Sequence, residues 1–377
     1  MKIVFVYDAI YPWVKGGVEK RIWELALRLS RRGHEIHIFG MKFWDGDDIM
    51  VKDGVVLHGI SPSRRFYVGG RRSIMGALLF GMHLLLPLAR ERGWDLIECQ
   101  QFPFISCFPA RLVSQLRHKP LVITWHEVWG QYWYEYLGLP GVAGKVTESV
   151  VARFRCPVIA VSPATASRFL AAFNKPVDII VPNGIDLAEI AATQPSPESS
   201  DIIFVGRLIP EKHVDLILDA FSLVVAGRPG LHLVIIGDGP EWEALQALVH
   251  RRSLDRSVTM TGFLESHAKI IARMKSSKVF VIPSTREGFG MTAIEALACG
   301  LPVVTVDQPG NAVRDLIAEE TGFLCTLSAE DLAEKIGIAL SRGDAMRAAC
   351  IRSVEASDWE RIVDSLEDYY RSVTNTS

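Results

Sequence analysis

The stretch that decides the fold is residues 279–306, VFVIPSTREGFGMTAIEALACGLPVVTV. Its two ends, Val279–Ile282 and Val303–Val306, are short apolar runs rich in β-branched residues, which predicts a pair of buried strands. Between them, residues 292–299 have the composition of a helix that packs on those strands. A strand, a helix and a strand in this order predict two parallel strands joined by a helical crossover.

The same alternation extends along the whole chain. In the second half, strands are predicted at 202–205, 231–236 and 258–261, and helices at 214–225, 241–251 and 267–275. In the first half, strands are predicted at 3–7, 35–39, 96–98, 121–124 and 158–161, and helices at 18–32, at 73–92 and after Pro109. Each half therefore has the pattern of a doubly wound α/β domain. The Pro- and Ser-rich segment 191–200 puts the boundary near residues 183–200.

Length and composition agree with two globular domains. The chain has 377 residues, 49% of them hydrophobic and 22% charged, as is typical of globular proteins. The apolar start is too short for a secretory signal, and His83 and Pro87 interrupt the longest apolar stretch, so we expect no membrane-spanning helix. The six cysteines form no C-x-x-C pair, which argues against zinc or redox motifs and favours a cytoplasmic protein.

Charge is distributed unevenly between the halves. Residues 1–180 carry 23 Lys and Arg against 15 Asp and Glu, whereas residues 181–377 carry 18 against 28. The basic half either faces an anionic partner or simply keeps the surface of the first domain solvated. Within it, Arg64, Arg65, Arg71 and Arg72 lie beside two aromatic residues, a patch suited to weak peripheral attachment to an anionic membrane. We expect no nucleic-acid partner.

A glycine pair, Gly16 and Gly17, opens the first predicted helix. Glycines allow backbone N–H groups and a helix N-terminus to approach a phosphate group, although a plain tight turn explains the pair equally well. The dinucleotide fingerprint G-x-G-x-x-G is absent, and the second predicted strand runs into Gly40 and Met41 instead of an acidic residue for a ribose. A dehydrogenase that transfers hydride is therefore disfavoured.

Two cations follow the first strand of the second half. Arg207 and Lys212 lie between that strand and the next helix, and ligands of open parallel sheets bind at the carboxyl ends of the strands. Fixed cations there would neutralise the charge on a departing diphosphate without a metal ion. The alternative is an ordinary solvated loop.

Two carboxylates flank the glycine-rich loop that follows strand 279–282. Glu287 is predicted in the loop and Glu295 about one turn into the helix. Backbone N–H groups at the helix start would lie between two acceptors suited to sugar and ribose hydroxyl groups. The residues around Glu295 are apolar, which argues against a merely exposed helical glutamate.

These motifs occur in the order found in a known family. They are Gly16-Gly17, residues 182–186, Gly206-Arg207, Glu211-Lys212, and Glu287 with Glu295 in an E-x7-E arrangement. Together they resemble the GT-B retaining glycosyltransferases of family 4, or glycosyl transferases group 1, over nearly the whole chain. The resemblance implies two Rossmann-like domains facing across a cleft. Residues 1–182 with a returning helix at 357–377 would bind the acceptor, and residues 183–356 the nucleotide-sugar donor.

The resemblance also implies roles for single residues. Arg207 and Lys212 would hold the donor diphosphate, Glu287 would contact sugar hydroxyl groups, Glu295 would hold the ribose, and His126 would lie beside the transferred sugar. The full donor-binding set is Gly16, Gly17, Arg207, Lys212, Glu287, Gly288, Phe289, Gly290, Met291, Thr292 and Glu295, and the catalytic set is His126, Glu287, Arg207 and Lys212. At position 213 the family commonly has Gly where this chain has His, which leaves the local turn open.

An aromatic segment follows His126. Trp129, Tyr132 and Trp133 offer flat apolar faces with polar edges, which suits stacking on sugar rings or contact with lipid chains. We therefore predict that they bind the acceptor. Apart from the resemblance, His126 would be interpreted as a histidine satisfied within the core.

The resulting functional hypothesis is a hexosyltransferase that retains anomeric configuration. It would move sugar from a UDP or GDP sugar to a carbohydrate or lipid-linked acceptor, in polysaccharide or glycolipid biosynthesis, with no metal and no cofactor. The base, the sugar and the acceptor stay open. Alternatives on the same scaffold are a sugar-nucleotide epimerase, a phosphorylase, or a non-catalytic sensor of nucleotide sugars. Asp45 and Asp47 match the D-x-D metal motif of unrelated transferases, but an exposed turn is the simpler interpretation.

Overall fold

The structure is a computed structural model that describes residues 1–63, 67–68 and 71–375, and the side chains of all of these except 67, 68, 71 and 72. The chain divides into two compact units, Met1–Asn183 with Trp359–Ser377, and Gly184–Asp358. The arginine patch formed by Arg64, Arg65, Arg71 and Arg72 lies outside the described residues or, for the last two, outside the described side chains.

The first unit is built on an eight-stranded sheet in the order β10-β9-β8-β7-β1-β2-β4-β3. Its strands are β1 Lys2–Val6, β2 Glu35–Lys42, β3 Ile49–Lys52, β4 Val55–Pro62, β7 Leu96–Gln100, β8 Leu121–Trp125, β9 Val158–Ala160 and β10 Ile179–Ile180, and a separate pair is formed by β5 Tyr67–Val68 and β6 Arg71–Arg72. Neighbouring strands of the sheet run parallel except β3 beside β4. Strands β1, β7 and β8 in the sheet interior are buried, except for Lys2 at the start of β1, because helices cover both faces.

Helices of the first unit cover the two faces separately. They are α1 Gly17–Arg31, α2 Ile74–Arg90, α3 Cys107–Arg117, α4 Tyr132–Leu137, α5 Gly141–Ala152, α6 Pro163–Phe173 and the C-terminal helix Trp359–Asn375. Helix α1 and the C-terminal helix share one hydrophobic core. Helices α2, α3, α5 and α6 contribute to the core on the opposite face of the sheet.

The C-terminal helix is fixed to α1 by charge as well as by apolar packing. Arg32 contacts Glu360 at 2.8 Å, Asp364 at 2.6 Å and Glu367 at 3.3 Å. Hydrogen bonds from Arg371, His34 and Arg32 lower the pKa of Glu367 to about 2. The last predicted helix therefore completes the first unit.

The second unit has a six-stranded parallel sheet in the order β13-β12-β11-β14-β15-β16. Its strands are β11 Ile202–Val205, β12 Leu233–Ile236, β13 Val258–Gly262, β14 Val279–Ile282, β15 Val303–Val306 and β16 Gly322–Cys325, and its helices are α7 Leu187–Ala192, α8 Val214–Gly227, α9 Trp242–Arg251, α10 His267–Lys275, α11 Met291–Ala298 and α12 Ala329–Ser353. The predicted crossover from β14 to β15 through a helix is confirmed. Strands β11 and β14 are parallel neighbours in this sheet, so the loops that follow them lie side by side.

Candidate functional site

The loops after β11 and β14 bring a lysine and a glutamate together. Lys212 lies in a 3₁₀ turn, Pro210–Lys212, just before α8. Its ammonium group forms an ion pair with the Glu287 carboxylate, and each side chain is about 15% exposed. Arg207, which follows the end of β11, is exposed at the same edge. The structure thus joins Lys212 and Glu287, residues separated by 75 positions in the sequence.

Glu287 is also held through its backbone. Its N–H donates to the Gly310 carbonyl at 3.0 Å, and its carbonyl accepts from the Ala312 N–H at 3.0 Å. The Ser284 hydroxyl lies 3.3 Å from the Glu287 carboxylate. Between Gly310 and Ala312, the fully buried Asn311 donates its side-chain amide to Thr305 and to the Val306 carbonyl, each at 2.9 Å. A loop anchored in this way presents its carboxylate in one position.

The glycine-rich loop ends at the start of α11. Gly288 and Phe289 lead into Gly290, whose φ of +90° is in the left-handed region. A Cβ atom on Gly290 would lie 2.3 Å from Val313 Cγ2, so this position requires glycine. Met291 and Thr292 then form the first turn of α11, where backbone N–H groups have no helical partner.

Glu295 lies in the second turn of α11 and is only 5% exposed. Its carboxylate is 2.9 Å from Nε2 of His267, the first residue of α10. Sequence reasoning missed His267, because nothing in its local pattern relates it to a residue 28 positions away. The contact orients the carboxylate proposed to bind a ribose.

The unusual residue His213 adopts the turn that glycine would favour. Its φ of +48° is left-handed, a conformation that costs a non-glycine residue about 1–2 kcal/mol. The imidazole Nε2 lies 3.1 Å from the Thr285 hydroxyl. Histidine at this position therefore adopts a left-handed turn and adds a contact between the loops after β11 and β14.

His126 follows β8 in the first unit and is oriented by a chain of hydrogen bonds. Its Nε2 lies 2.7 Å from Gln100 Oε1. The Gln100 amide nitrogen donates to the buried Glu98 carboxylate at 2.9 Å, so the amide oxygen must face the histidine. Nε2 of His126 therefore carries the proton, which leaves Nδ1 as an acceptor. Burial, together with the nearby Arg21 charge, lowers the pKa of His126 to about 3.

We expect His126 to stay neutral throughout the physiological range. In the unfolded chain this histidine binds a proton near pH 6.5, whereas in the folded chain it does so only near pH 3. The unfolded state therefore binds more protons below about pH 6.5, and the free energy of unfolding should fall as the pH decreases below that value. The imidazole signals in heteronuclear NMR, assigned with a His126→Gln variant, should not titrate between about pH 5 and 8. A midpoint between about pH 6 and 7 would contradict this environment.

Gly16 and Gly17 lie at the start of α1, and both are exposed. Gly16 is the N-cap, and a Cβ atom there would lie 2.4 Å from the Glu19 carboxylate. The carboxylate of Glu19 thus folds back over this end of the helix, where negative charge is favourable. The glycine pair keeps the backbone of this turn accessible.

A buried glutamate organises the aromatic segment after His126. Glu148 of α5 is 1% exposed, and its carboxylate accepts from the N–H groups of Trp129 at 2.8 Å and Gly130 at 3.0 Å and from Trp133 Nε1 at 2.9 Å. Burial raises the pKa of Glu148, against the effect of these hydrogen bonds. Trp133 is itself 6% exposed, which favours a supporting role over direct acceptor contact, while Trp129 and Tyr132 are partly exposed.

Two groups of potential metal ligands in the first unit are explained by ion pairs and hydrogen bonds among the protein's own side chains. Lys42, the last residue of β2, contacts Asp48 in the exposed loop that follows at 2.8 Å, so an ammonium group lies next to the D-x-D segment. His37, His58 and Glu91 bring ligand atoms within 4.8 Å of one another. There Nδ1 of His37 lies 2.8 Å from Nε2 of His58, and Lys2 Nζ lies 2.6 Å from the Glu91 carboxylate, so a hydrogen bond and an ion pair account for the cluster.

Comparisons with known proteins agree with the geometry of both units. Residues 15–189 match the family described as Glycosyltransferase Family 4, and residues 188–356 match Glycosyl transferases group 1. The chain therefore belongs to the GT-B glycosyltransferases of the family 4 type.

Some similar proteins match nearly the whole chain, and others match only about half of it. A GDP-mannose-dependent α-mannosyltransferase of Mycolicibacterium smegmatis is 29% identical over 99% of this chain and 98% of its own. A GDP-mannose-dependent α-(1-6)-phosphatidylinositol dimannoside mannosyltransferase of Mycobacterium tuberculosis is 28% identical, and the match spans about half of each protein. Among solved structures, sucrose-phosphate synthase from Thermosynechococcus elongatus has a TM-score of 0.81 at 21% identity, with full coverage of both chains.

Proposed function

We propose that this glycosyltransferase transfers a hexose from a UDP or GDP sugar to a carbohydrate or lipid-linked acceptor, with retention of configuration and without a metal ion. The Lys212–Glu287 ion pair at the carboxyl edge of the second sheet carries the proposal. An ammonium group beside a carboxylate is complementary to a donor that offers phosphate oxygens and sugar hydroxyl groups in one molecule.

Each charged group has a distinct task in this proposal. Arg207 and Lys212 neutralise the charge that develops on the departing diphosphate, which fixed cations do without reorganisation. The N–H groups at the start of α11 contribute in the same sense. Glu287 accepts hydrogen bonds from the sugar, and Glu295, oriented by His267, accepts them from the ribose. His126, neutral and with Nδ1 as an acceptor, binds a hydroxyl group of the transferred sugar.

Retention follows if the acceptor attacks from the face that the diphosphate leaves. A donor phosphate oxygen then removes the acceptor proton, and the C1–O bond to phosphate breaks as the bond from C1 to the acceptor oxygen forms. Lys212 and Arg207 stabilise the diphosphate product. On this scheme no protein carboxylate needs to form a covalent intermediate with the sugar.

The test is a screen of nucleotide sugars with the purified full chain and a panel of carbohydrate and lipid-linked acceptors. GDP-mannose is the first donor to try, since it is named for the full-length mannosyltransferase relative. We expect release of nucleoside diphosphate that depends on acceptor, and a product whose anomeric configuration by NMR equals that of the donor. Inversion would refute the same-face mechanism, and conversion of the donor without any acceptor would indicate an epimerase instead.

Activity is expected to survive EDTA. Arg207, Lys212 and the start of α11 supply the positive charge that a divalent cation supplies elsewhere. Initial rates should agree with and without chelator, measured on enzyme passed through a desalting column. Loss of activity that manganese restores would show that a metal takes part, and the Asp45 to Asp48 loop would be the first place to mutate.

A further inference from the structure

We propose that one face of the first unit docks on an anionic lipid membrane. The face consists of the exposed sides of α2, α3 and α5 and is called here the apolar helix face. In the described part of the chain, none of the helices combines the length and hydrophobicity needed to cross a bilayer. The docking inferred is therefore peripheral, with side chains inserted at the level of the lipid headgroups.

Helix α2 contributes an apolar stripe on its exposed side. Ile74, Leu78, Met82 and Leu86 follow one another at intervals of four residues, with exposed fractions of 55%, 37%, 74% and 63%. Residues at this spacing lie along one side of a helix. The other side of α2 is also apolar and packs fully into the core through Phe80, among others. A helix that is apolar on both sides is unusual at a protein surface in contact with water.

Helices α3 and α5 repeat the same stripe. In α3 the exposed residues are Phe108, Leu112 and Leu116, at 40%, 45% and 68%. In α5 they are Val142, Val146 and Val150, at 48%, 56% and 41%. Single exposed apolar residues are ordinary, but three stripes on neighbouring helices form the kind of patch that marks an interaction surface.

The three stripes share one side of the sheet. Helix α2 packs alongside α3, and the ring of Phe108 in α3 meets Phe154, just after α5, edge to face at 5.4 Å. The buried sides of all three helices enter the same core cluster, whereas α1 and the C-terminal helix cover the opposite face. The three stripes that make up the apolar helix face therefore lie on the same side of the sheet.

Charge selects the partner. Helices α2 and α3 contain no Asp or Glu, and the one acidic residue of α5, Glu148, is buried. Basic residues lie on or beside the stripes, namely Arg90, Arg117 and Lys145. An anionic membrane accepts apolar side chains between its headgroups and attracts cations at the margin. In a symmetric contact between two copies, the same basic margins would oppose each other, so we infer lipid as the partner.

The position of the face gives docking a consequence for the proposed function. Helix α5 follows the aromatic segment directly, and its Glu148 fixes that segment. Docking would bring the candidate acceptor residues Trp129 and Tyr132 close to a lipid-linked acceptor. This consequence rests on the proposed function, whereas the docking itself does not.

The experiment is flotation of the full-length chain with lipid vesicles. We expect it to float with vesicles of phosphatidylcholine mixed with phosphatidylglycerol and to stay largely unbound with phosphatidylcholine alone. A Met82→Gln, Leu86→Gln variant should bind at least about tenfold more weakly, because two inserted apolar groups become polar. The matched control is Ile49→Gln, Val51→Gln in β3, two side chains of similar exposure, 56% and 68%, outside the apolar helix face; it should float like the parent.

Three outcomes would overturn the proposal. One is the absence of flotation with anionic vesicles, and another is equal loss of binding in both double variants. The third is a concentration-dependent dimer by light scattering that the Met82→Gln, Leu86→Gln change dissolves while flotation is absent, which would assign the face to a second copy of the chain. Since flotation needs no turnover, it separates failure of docking from failure of the proposed catalytic function.

Discussion

Replacing Lys212 or Arg207 by alanine is expected to lower the rate of sugar transfer by about a hundredfold to a thousandfold, the usual effect of removing one fixed donor from a developing charge. Lys212 is held against Glu287 at the edge of the second sheet, so its loss removes a cation that the chain itself has positioned. Arg207 is exposed, so its truncation removes no core packing. The loss should appear in turnover more than in acceptor affinity, because charge on the diphosphate grows toward the transition state.

The measurement is the initial rate against donor concentration at saturating acceptor, with circular dichroism as the folding control. Lys212→Arg should restore activity only in part, because a planar guanidinium cannot replace a compact ammonium group. Lys278→Ala is the matched control, since Lys278 also pairs with a carboxylate of the second unit, Asp201 at 2.9 Å, but is 64% exposed. If both site variants fold and keep rates within about threefold of the control, the diphosphate is bound elsewhere.

Replacing Glu98 by alanine is expected to destabilise the first unit by about 3–5 kcal/mol, as is typical when a buried charge loses its partner. Glu98 is fully buried and accepts from Thr124 at 2.8 Å, from Gln100 at 2.9 Å and from the Tyr370 hydroxyl. The charge of Glu98 also compensates that of the buried Arg21. Burial lowers the pKa of Arg21, and the negative charge of Glu98 partly offsets this effect. Alanine would leave three donors without this acceptor and the Arg21 guanidinium without this opposing charge.

Chemical denaturation of the full chain, followed by tryptophan fluorescence, measures this effect. Tyr370→Phe removes one donor and should cost less, about 1–3 kcal/mol. Glu360→Ala is the control. Glu360 also links the C-terminal helix to the end of α1, through Arg32, but its side chain is 59% exposed, so its loss should cost about 1 kcal/mol or less. Equal effects of Glu98→Ala and Glu360→Ala would show that the buried network does not hold the C-terminal helix.

Local sequence predicted the regular elements of the second unit closely. The strands Ile202–Val205, Val279–Ile282 and Val303–Val306 and the helix His267–Lys275 are confirmed to the residue. Strands buried on both faces are short uninterrupted apolar runs, and such runs are visible without knowledge of their neighbours. The same reasoning did not find β4, Val55–Pro62, because His58 and Gly59 interrupt the run. In the fold, the rings of His58 and Phe39 stack with centroids 4.1 Å apart, and His58 forms a hydrogen bond with His37. These contacts allow the histidine to be buried.

Helix α12, Ala329–Ser353, was likewise not predicted. Its sequence includes Gly337 and Gly343, which weaken a helical pattern. The helix forms because Leu332, Ile336 and Ala339 are fully buried in the second unit. Tertiary packing here outweighs intrinsic propensity.

By itself, the sequence determined the α/β class with two domains. It also determined which residue types lie in the loops that carry the chemistry, because strand ends and glycine-rich turns are local features. Only the tertiary structure decided which groups meet. Lys212 with Glu287, His267 with Glu295, and Glu98 with Tyr370 are separated by 75, 28 and 272 residues. No local pattern encodes such pairs, since they depend on the order of strands in the sheet and on which helix covers which face. The apolar helix face has the same origin: each stripe is present in the sequence, but only packing on one side of the sheet leaves all three exposed together.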